Sequence, residues 1–226
     1  MDFENLLVNS SFTPVKIIAP QIDFEAYVSI NLSAVHLLLN DVDVQSSGSL
    51  AVYISNYLKS RSKQVAYGGY LELRSLYSRS HHFQNHKENQ RNIHLGIDLW
   101  CTANTPVLAA FDGIIHSFKN NTAFGDYGPT IILEHCIDGM IFFTLYGHLS
   151  LDSIAHLEVG VEVKSNEIIG YLGTAEVNGD YPPHLHFQII KDMHGNFGDY
   201  PGVCSQSEVD FYKENCPDPN LILKLK

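Results

Sequence analysis

The sequence of 226 residues has few basic side chains: 14 lysines and arginines stand against 25 aspartates and glutamates, for a net charge of −11. Proteins that bind nucleic acids draw much of their affinity from basic patches, and anionic membrane surfaces attract such patches as well. The acidic balance therefore argues against both of these partners. It also argues against strong adhesion to acidic wall polymers.

Long apolar runs and cysteine motifs are absent too. No run reaches the ~18 apolar residues that a membrane-spanning helix needs. Residues 1–6 are acidic and lack the basic and apolar regions of a secretory signal. The four cysteines include no CxxC pair, so neither a zinc knuckle nor a disulfide scaffold is expected. We therefore expect free thiols and a cytoplasmic location, with a periplasmic or exported mature form as the alternative.

The pattern of apolar residues divides the chain in two. Residues 1–65 carry no chemical motif, and residues 49–59 place apolar side chains at helical spacing. We predict that residues 1–65 are a partly helical N-terminal extension packed against the main domain; a short separate module is the alternative. Residues 66–226 are expected to form that domain, beginning with a loop over 66–92. Three histidines of the loop are expected in solvent: His81, His82 and His86.

From residue 93 onward, short apolar runs alternate with turn residues. Asp112-Gly113 and Asp138-Gly139 each lie between two such runs, which is the sequence signal of a β-hairpin. Strands at close spacing with little helix predict a mainly β fold built on an antiparallel sheet. Three histidines in this region have no motif partner and are interpreted as structural: His116, His135 and His156.

A strand is predicted where two prolines precede His184-Leu185-His186-Phe187. Successive side chains of a strand point to opposite faces. Leu185 and Phe187 can therefore anchor the strand in a core while both imidazoles face a cleft. Two histidines placed in this way can serve one metal centre, one as a ligand and the other as a base.

Two further stretches place polar side chains among apolar ones. His94 and Asp98 share a face of an extended chain, and Gly96 leaves that face open between them. A helix would also put them on one face, but the central glycine disfavours it. His148 ends another predicted strand. Nitrogen and carboxylate ligands suit zinc, and three protein ligands leave a fourth position for water. The remaining two histidines can then take or give protons.

The motifs HxxxD at 94–98, YGHLS at 146–150 and HLH at 184–186, in this order, resemble the lysostaphin-type zinc metallopeptidases. Most of that family are peptidoglycan endopeptidases. The resemblance covers roughly residues 90–192. It implies a barrel-sandwich-like, mainly antiparallel β domain with a long groove and one zinc ion per chain. It also implies a set of roles: metal ligands His94, Asp98 and His186, and catalytic histidines His148 and His184.

Four stretches, residues 95–100, 127–135, 182–190 and 216–220, resemble one branch of the family more closely. That branch also occurs fused to aminotransferase and phosphotransferase domains. Many members of the family carry a tyrosine shortly before HxxxD that assists at the oxyanion. Residues 83–93 contain none, so Tyr127 and Tyr146 are candidates to replace it.

The function expected from these motifs is zinc-dependent hydrolysis of a peptide or peptidoglycan-type amide bond. Two alternatives stay open at this point. One is a catalytically silent module that binds a peptide or partner. The other is a cytoplasmic zinc amidohydrolase that acts on a small non-wall substrate.

Overall fold

The computed structural model describes residues 2–10, 12–80 and 90–226. Four α-helices are found in these ranges: α1 Phe3–Ser10, α2 Ser47–Ser60, α3 Val209–Asn215 and α4 Asn220–Leu223. The same ranges contain twelve strands: β1 Tyr27–Ser29, β2 Val65–Gly68, β3 Ile93–His94, β4 Ile97–Trp100, β5 Pro106–Leu108, β6 Gly113–Asn121, β7 Gly128–Ile137, β8 Met140–Gly147, β9 Glu162–Val163, β10 Ile168–Tyr171, β11 His184–Ile190 and β12 Val203–Cys204. His81, His82 and His86 lie outside the described residues.

Eight of the strands form one large sheet in the order β1-β2-β4-β11-β8-β7-β6-β9. Every neighbouring pair is antiparallel except β1 and β2, which run parallel. Two small antiparallel sheets join β5 to β10 and β3 to β12. Within the described ranges the large sheet ends at β1 and β9 and does not close into a barrel. The predicted mainly β, antiparallel fold is confirmed.

The central strand β11 separates the core from the polar face of the sheet. Leu185, Phe187 and Ile189 are completely buried in the main apolar cluster. His184 and His186 alternate with them and project from the opposite face. The strand and its two-faced pattern are confirmed.

The predicted helix in residues 49–59 is confirmed as part of α2. Ser46 caps it, because its hydroxyl oxygen accepts a hydrogen bond from the backbone N–H of Ser49 at 3.3 Å. The helix buries Leu50 and Ile54 in a cluster with Trp100 of β4. The nearby β1 extends the large sheet by pairing with β2. The division of the chain at residue 65 stays a prediction.

The two Asp-Gly pairs behave differently. Asp138 and Gly139 have φ angles of 50° and 80°, and they connect β7 to β8 in the predicted hairpin. The hairpin predicted at Asp112-Gly113 is wrong, because β5 pairs with β10 while β6 pairs with β7 and β9. Neither residue there has a positive φ. The Asp112 carboxylate instead accepts the backbone N–H of Ser165 at 2.8 Å.

The loop predicted for residues 66–92 is also only partly correct. It contains most of β2 and a 3₁₀-helix, Leu76–Arg79. The strand β2 has four residues, which are too few to show the two-residue alternation of a strand. Its partner β4 lies about thirty residues further along the chain. The four cysteines are free thiols, as predicted. Among the described residues, no helix has the length and apolar character needed to cross a membrane.

His135 is structural, as its lack of a motif partner indicated. The side chain is 1% exposed on β7. Its Nδ1 lies 2.9 Å from the carbonyl oxygen of Asp112, and its Nε2 lies 2.7 Å from Thr144 Oγ1. Burial lowers the pKa of His135 to about 4.

We predict that His135 makes the protein sensitive to acid. Because its pKa in the folded state is depressed, the folded protein excludes a proton that the unfolded chain binds below about pH 6.5. The stability that depends on neutral His135 is complete above that pH and is lost as the pH falls towards 4. In His135→Gln, denaturant titrations should show the dependence of unfolding free energy on pH reduced by up to about 1.4 kcal/mol per pH unit. An unchanged slope would contradict this assignment.

Candidate metal centre

The position of β11 between β4 and β8 brings the three polar stretches together. His186 is opposite Asp98 on β4 and opposite Gly147 on β8. His148 follows directly and adopts a φ of 63°, a left-handed conformation that turns the chain at the end of the strand. His94 approaches His186 and Asp98 from β3, a strand of the small sheet that pairs with β12.

Three of these side chains converge on one point. His94 Nε2 and His186 Nδ1 are each 3.2 Å from Asp98 Oδ1, and the two nitrogens are 2.8 Å apart. Ligand atoms around a tetrahedral zinc ion, with bonds near 2.0–2.1 Å, lie roughly 3.3 Å from one another. Among the described residues, this trio is the group whose ligand atoms could hold a metal ion.

The hydrogen bonds on the far side of each ring set its tautomer. His94 Nδ1 donates to the carbonyl oxygen of Gly69 at 2.9 Å. The Gln188 amide nitrogen donates to the carbonyl oxygen of Pro201, so its Oε1 accepts from His186 Nε2 at 3.0 Å. Two imidazole lone pairs therefore face each other at 2.8 Å beside a carboxylate. Such lone pairs repel without a cation between them, so the arrangement fits a bound metal ion.

Asp98 is paired with an arginine that sequence reasoning missed. Arg74 Nη1 donates to Asp98 Oδ2 at 2.5 Å, and both side chains are 2% exposed. Burial alone would raise the pKa of Asp98, but His94 and Arg74 hold it well below its usual value. No motif identifies Arg74. The only signal was a Glu72/Arg74 charge pair within a segment predicted to be a loop.

The remaining two histidines lie beside the trio. Their rings lie against each other at an angle of 33°, with centroids 4.2 Å apart, and Trp100 stacks on His184 with centroids 4.0 Å apart. His148 Nδ1 donates to the carbonyl oxygen of Asn178, and His184 Nδ1 donates to that of Pro182. Each Nε2 is therefore unprotonated. Burial lowers the pKa of His184 to about 4 and that of His148 well below its usual value.

All five predicted site residues line one cavity of about 220 Å³, and none is more than 5% exposed. Of the two tyrosines considered as replacements, Tyr127 lines this cavity while Tyr146 does not. Tyr146 instead accepts the backbone N–H of Ala110 in the core. The structure adds three further tyrosines to the cavity wall: Tyr77, Tyr181 and Tyr200. The ring of Tyr77 is stacked at 6.5 Å from that of His94.

Comparison with known proteins gives a family match over this region. Residues 92–197 match the family model described as "Peptidase family M23". The chain is 31% identical over 109 residues to the peptidoglycan DD-endopeptidase ShyC of Vibrio cholerae, covering 47% of this chain and 22% of that protein. It is 32% identical over 98 residues to the peptidoglycan DD-endopeptidase ShyA of the same organism, covering 43% and 20%.

The chain thus spans about a fifth of the length of the curated relatives it matches. Among solved structures, it is similar to the catalytic domain of lysostaphin from Staphylococcus simulans. That match has 26% identity and a TM-score of 0.36, and it covers 54% of this chain and 80% of that one.

The expectation of a cytoplasmic location is wrong. Both curated relatives are named as peptidoglycan endopeptidases, and peptidoglycan lies outside the cytoplasmic membrane. The expectation rested on acidic charge, unpaired cysteines and the composition of residues 1–6. None of these features specifies a compartment in a chain that matches only part of its relatives.

We predict that Gly96→Ala disrupts the metal centre. A Cβ at position 96 would lie 2.8 Å from the His186 ring and 2.5 Å from the carbonyl oxygen of Phe187. We expect a loss of about 1–3 kcal/mol of stability from overpacking and strongly weakened metal binding, measured by thermal unfolding and by titration with zinc.

Gly48→Ala is the matched control for this change. Its new Cβ would meet only Ser46 Oγ, at 3.8 Å, near the start of α2. This variant should bind zinc as the wild type does and gain up to about 1 kcal/mol of stability. A Gly96→Ala protein with wild-type zinc affinity would show that the packing of His186 on Gly96 does not matter.

Proposed function

Because residues 92–197 form a domain of peptidase family M23, we propose that the chain is a zinc-dependent metalloendopeptidase that hydrolyses a peptide or peptidoglycan-type amide bond. One observation carries the proposal: two unprotonated imidazole nitrogens and a carboxylate oxygen meet within 3.2 Å. Beside them lie two more histidines whose Nε2 atoms are free to accept protons. The names of the curated peptidoglycan endopeptidases support the same substrate class.

His94, Asp98 and His186 would hold the zinc ion. Two nitrogens and one oxygen are donors that zinc accepts, and three protein ligands leave a position open for water or substrate. When bound, zinc lowers the pKa of its water to about 7 and polarises the substrate carbonyl. The ion would be held rigidly, because Gly69 and Gln188 fix the orientation of the two imidazole rings.

His148 and His184 would move the protons of the reaction. Both are neutral at pH 7 because burial depresses their pKa values. Each holds its Nδ1 proton against a backbone carbonyl, so Nε2 is the atom that takes a proton. One histidine would accept the proton of the attacking water on its Nε2 and then give that same proton to the leaving amine, directly or through the Nε2 of the other histidine.

Tyr77 would assist at the carbonyl oxygen in place of the tyrosine missing before HxxxD. It lines the cavity beside His94, and burial raises the pKa of its hydroxyl, which therefore keeps its proton. A neutral hydroxyl in the wall of a buried cavity is a suitable donor to a developing oxyanion.

A second candidate function is the hydrolysis of a small non-wall amide. The observation that favours it is the size of the cavity, about 220 Å³, which is small beside the ~300–1,000 Å³ typical of ligand pockets. Assays on isolated cell walls, on soluble peptide fragments and on a panel of small amides separate the two. Cleavage of the small amides alone would favour the second function.

We predict that the two histidines of HLH differ in role. His186→Ala should lose both metal and activity, because it removes a ligand. His184→Ala should keep zinc but lose activity by about 10²–10⁴-fold, the range for a general acid or base. Zinc content by atomic absorption and hydrolysis rates by chromatography measure the two effects.

Equal loss of zinc in both variants would contradict this division of roles. A wild-type chain with no affinity for zinc would contradict the enzyme assignment altogether. In that case the cavity would serve a catalytically silent binding module.

We predict that Tyr77→Phe lowers kcat by about 10²–10³-fold, the cost of removing one oxyanion donor. Zinc affinity should stay close to the wild-type value, because the hydroxyl would not be a ligand and its hydrogen bond from Arg74 Nη1 is long, at 3.4 Å. Steady-state kinetics with a zinc titration check both parts. The same measurements on Tyr127→Phe test the other cavity tyrosine that is a candidate for this role. A Tyr77→Phe enzyme with wild-type kcat would exclude this tyrosine from the reaction.

A further inference from the structure

We propose that Arg74 and Glu72 are positioning residues of the metal centre, which hold Asp98 as a ligand through one oxygen only. This inference rests on the proposed zinc site and extends it beyond the part of the chain that matches the family. Both residues lie outside 92–197. They act through Asp98 and would touch neither the ion nor the substrate.

The two oxygens of Asp98 face different partners. Oδ1 points to His94 Nε2 and His186 Nδ1, each at 3.2 Å. Oδ2 is bound by Arg74 Nη1 at 2.5 Å. A carboxylate whose second oxygen is already engaged by a cation cannot turn to offer both oxygens to an ion. The geometry therefore favours a ligand set with one oxygen, which leaves room for water at the fourth position.

Arg74 is itself held in place by Glu72. Arg74 Nε donates to Glu72 Oε2 at 2.6 Å, and the two side chains are 2% and 12% exposed. Two donors on different edges of one rigid guanidinium thus bind two different carboxylates, an arrangement that lysine cannot reproduce. Glu72 also balances the charge of Arg74, so the arginine adds little repulsion to an incoming dication.

The segment of residues 69–74 fixes a second ligand as well. The Gly69 carbonyl oxygen accepts the Nδ1 proton of His94, and the backbone N–H of His94 donates to the carbonyl oxygen of Glu72 at 3.0 Å. A Cβ at position 69 would lie 2.0 Å from Arg74 Nη2 and 2.9 Å from His94 Nδ1. Glycine at this position, with a φ of 107°, is what lets both side chains fit.

The same segment connects the centre to the N-terminal part of the chain. Glu72 Oε1 accepts the backbone N–H of Leu32 at 2.9 Å. A series of contacts therefore runs from Leu32 through Glu72 and Arg74 to Asp98. The metal centre is completed from chain outside the matched domain.

The rival explanation is that the buried ion pair only stabilises the fold. The test must therefore measure coordination as well as stability, and it must keep the local charge constant. The double variant Glu72→Gln/Arg74→Met removes both charges together. Arg74→Lys retains the charge but cannot span two carboxylates, and Glu72→Gln alone leaves Arg74 in place.

Arg79→Met is the matched control. Arg79 is a buried arginine of the neighbouring 3₁₀-helix, 6% exposed, and it pairs at 3.1 Å with Asp180, whose side chain is 42% exposed. It does not line the cavity. Losing this ion pair should affect stability without reaching the metal centre.

The experiment uses the full chain, stripped of metal and reloaded. Zinc affinity is measured by competition with a chromophoric chelator, and the absorption spectrum of the cobalt-loaded protein reports the number of ligands. We expect 10–100-fold weaker zinc binding in the double variant, the usual cost of losing a residue that orients a metal ligand. The weaker visible bands of a five-coordinate cobalt ion should accompany it. Arg74→Lys and Glu72→Gln should show smaller losses, and Arg79→Met none.

A folded double variant with wild-type zinc affinity and a wild-type cobalt spectrum would overturn the inference and leave the proposed function intact. If the double variant does not fold, unchanged affinity and spectra in both Arg74→Lys and Glu72→Gln would overturn it equally. A wild-type chain that binds neither zinc nor cobalt would overturn the proposed function, and this inference with it.

Discussion

The structure depends on the burial of one carboxylate, that of Asp98, in the middle of the polar face of the sheet. A buried charge is costly unless cations and hydrogen bonds surround it. Here Arg74 binds one oxygen, while His94 and His186 face the other. Each partner comes from a different part of the chain. The fold must therefore bring all of them to one point or leave an uncompensated charge in its interior.

The two faces of strand β11 have different roles in meeting this requirement. Leu185, Phe187 and Ile189 fix β11 in the core. His184 and His186 alternate with these residues, so the packing of the core also fixes the positions of both histidines in the cavity. The strands on either side carry Asp98 and the residues that lead to His148. Packing on one face thus gives the positional precision that metal chemistry needs on the other.

The N-terminal part of the chain shares in this centre through contacts of two kinds. Apolar packing of α2 supports Trp100, whose ring lies against His184. Polar contacts run from Leu32 through Glu72 to Arg74. Neither kind could be predicted from the sequence, because no spacing rule relates residues 32, 72 and 98. The wrong prediction of a hairpin at Asp112-Gly113 has the same cause. The strands on either side of this pair bind to strands from other parts of the chain and not to each other.

The β class and the α2 helix could be predicted from the pattern of apolar residues, and the motifs identified the five side chains that line the cavity. The first two follow from periods of two and of 3.6 residues, whereas the set of five is what the resemblance of the motifs to a known peptidase family implies. The folded structure was needed to show which atoms of those side chains face one another, which imidazole rings are neutral, and that Arg74 and Tyr77 lie beside them. These features depend on burial and on contacts between segments that are distant in the sequence. Neither can be predicted from a local sequence pattern.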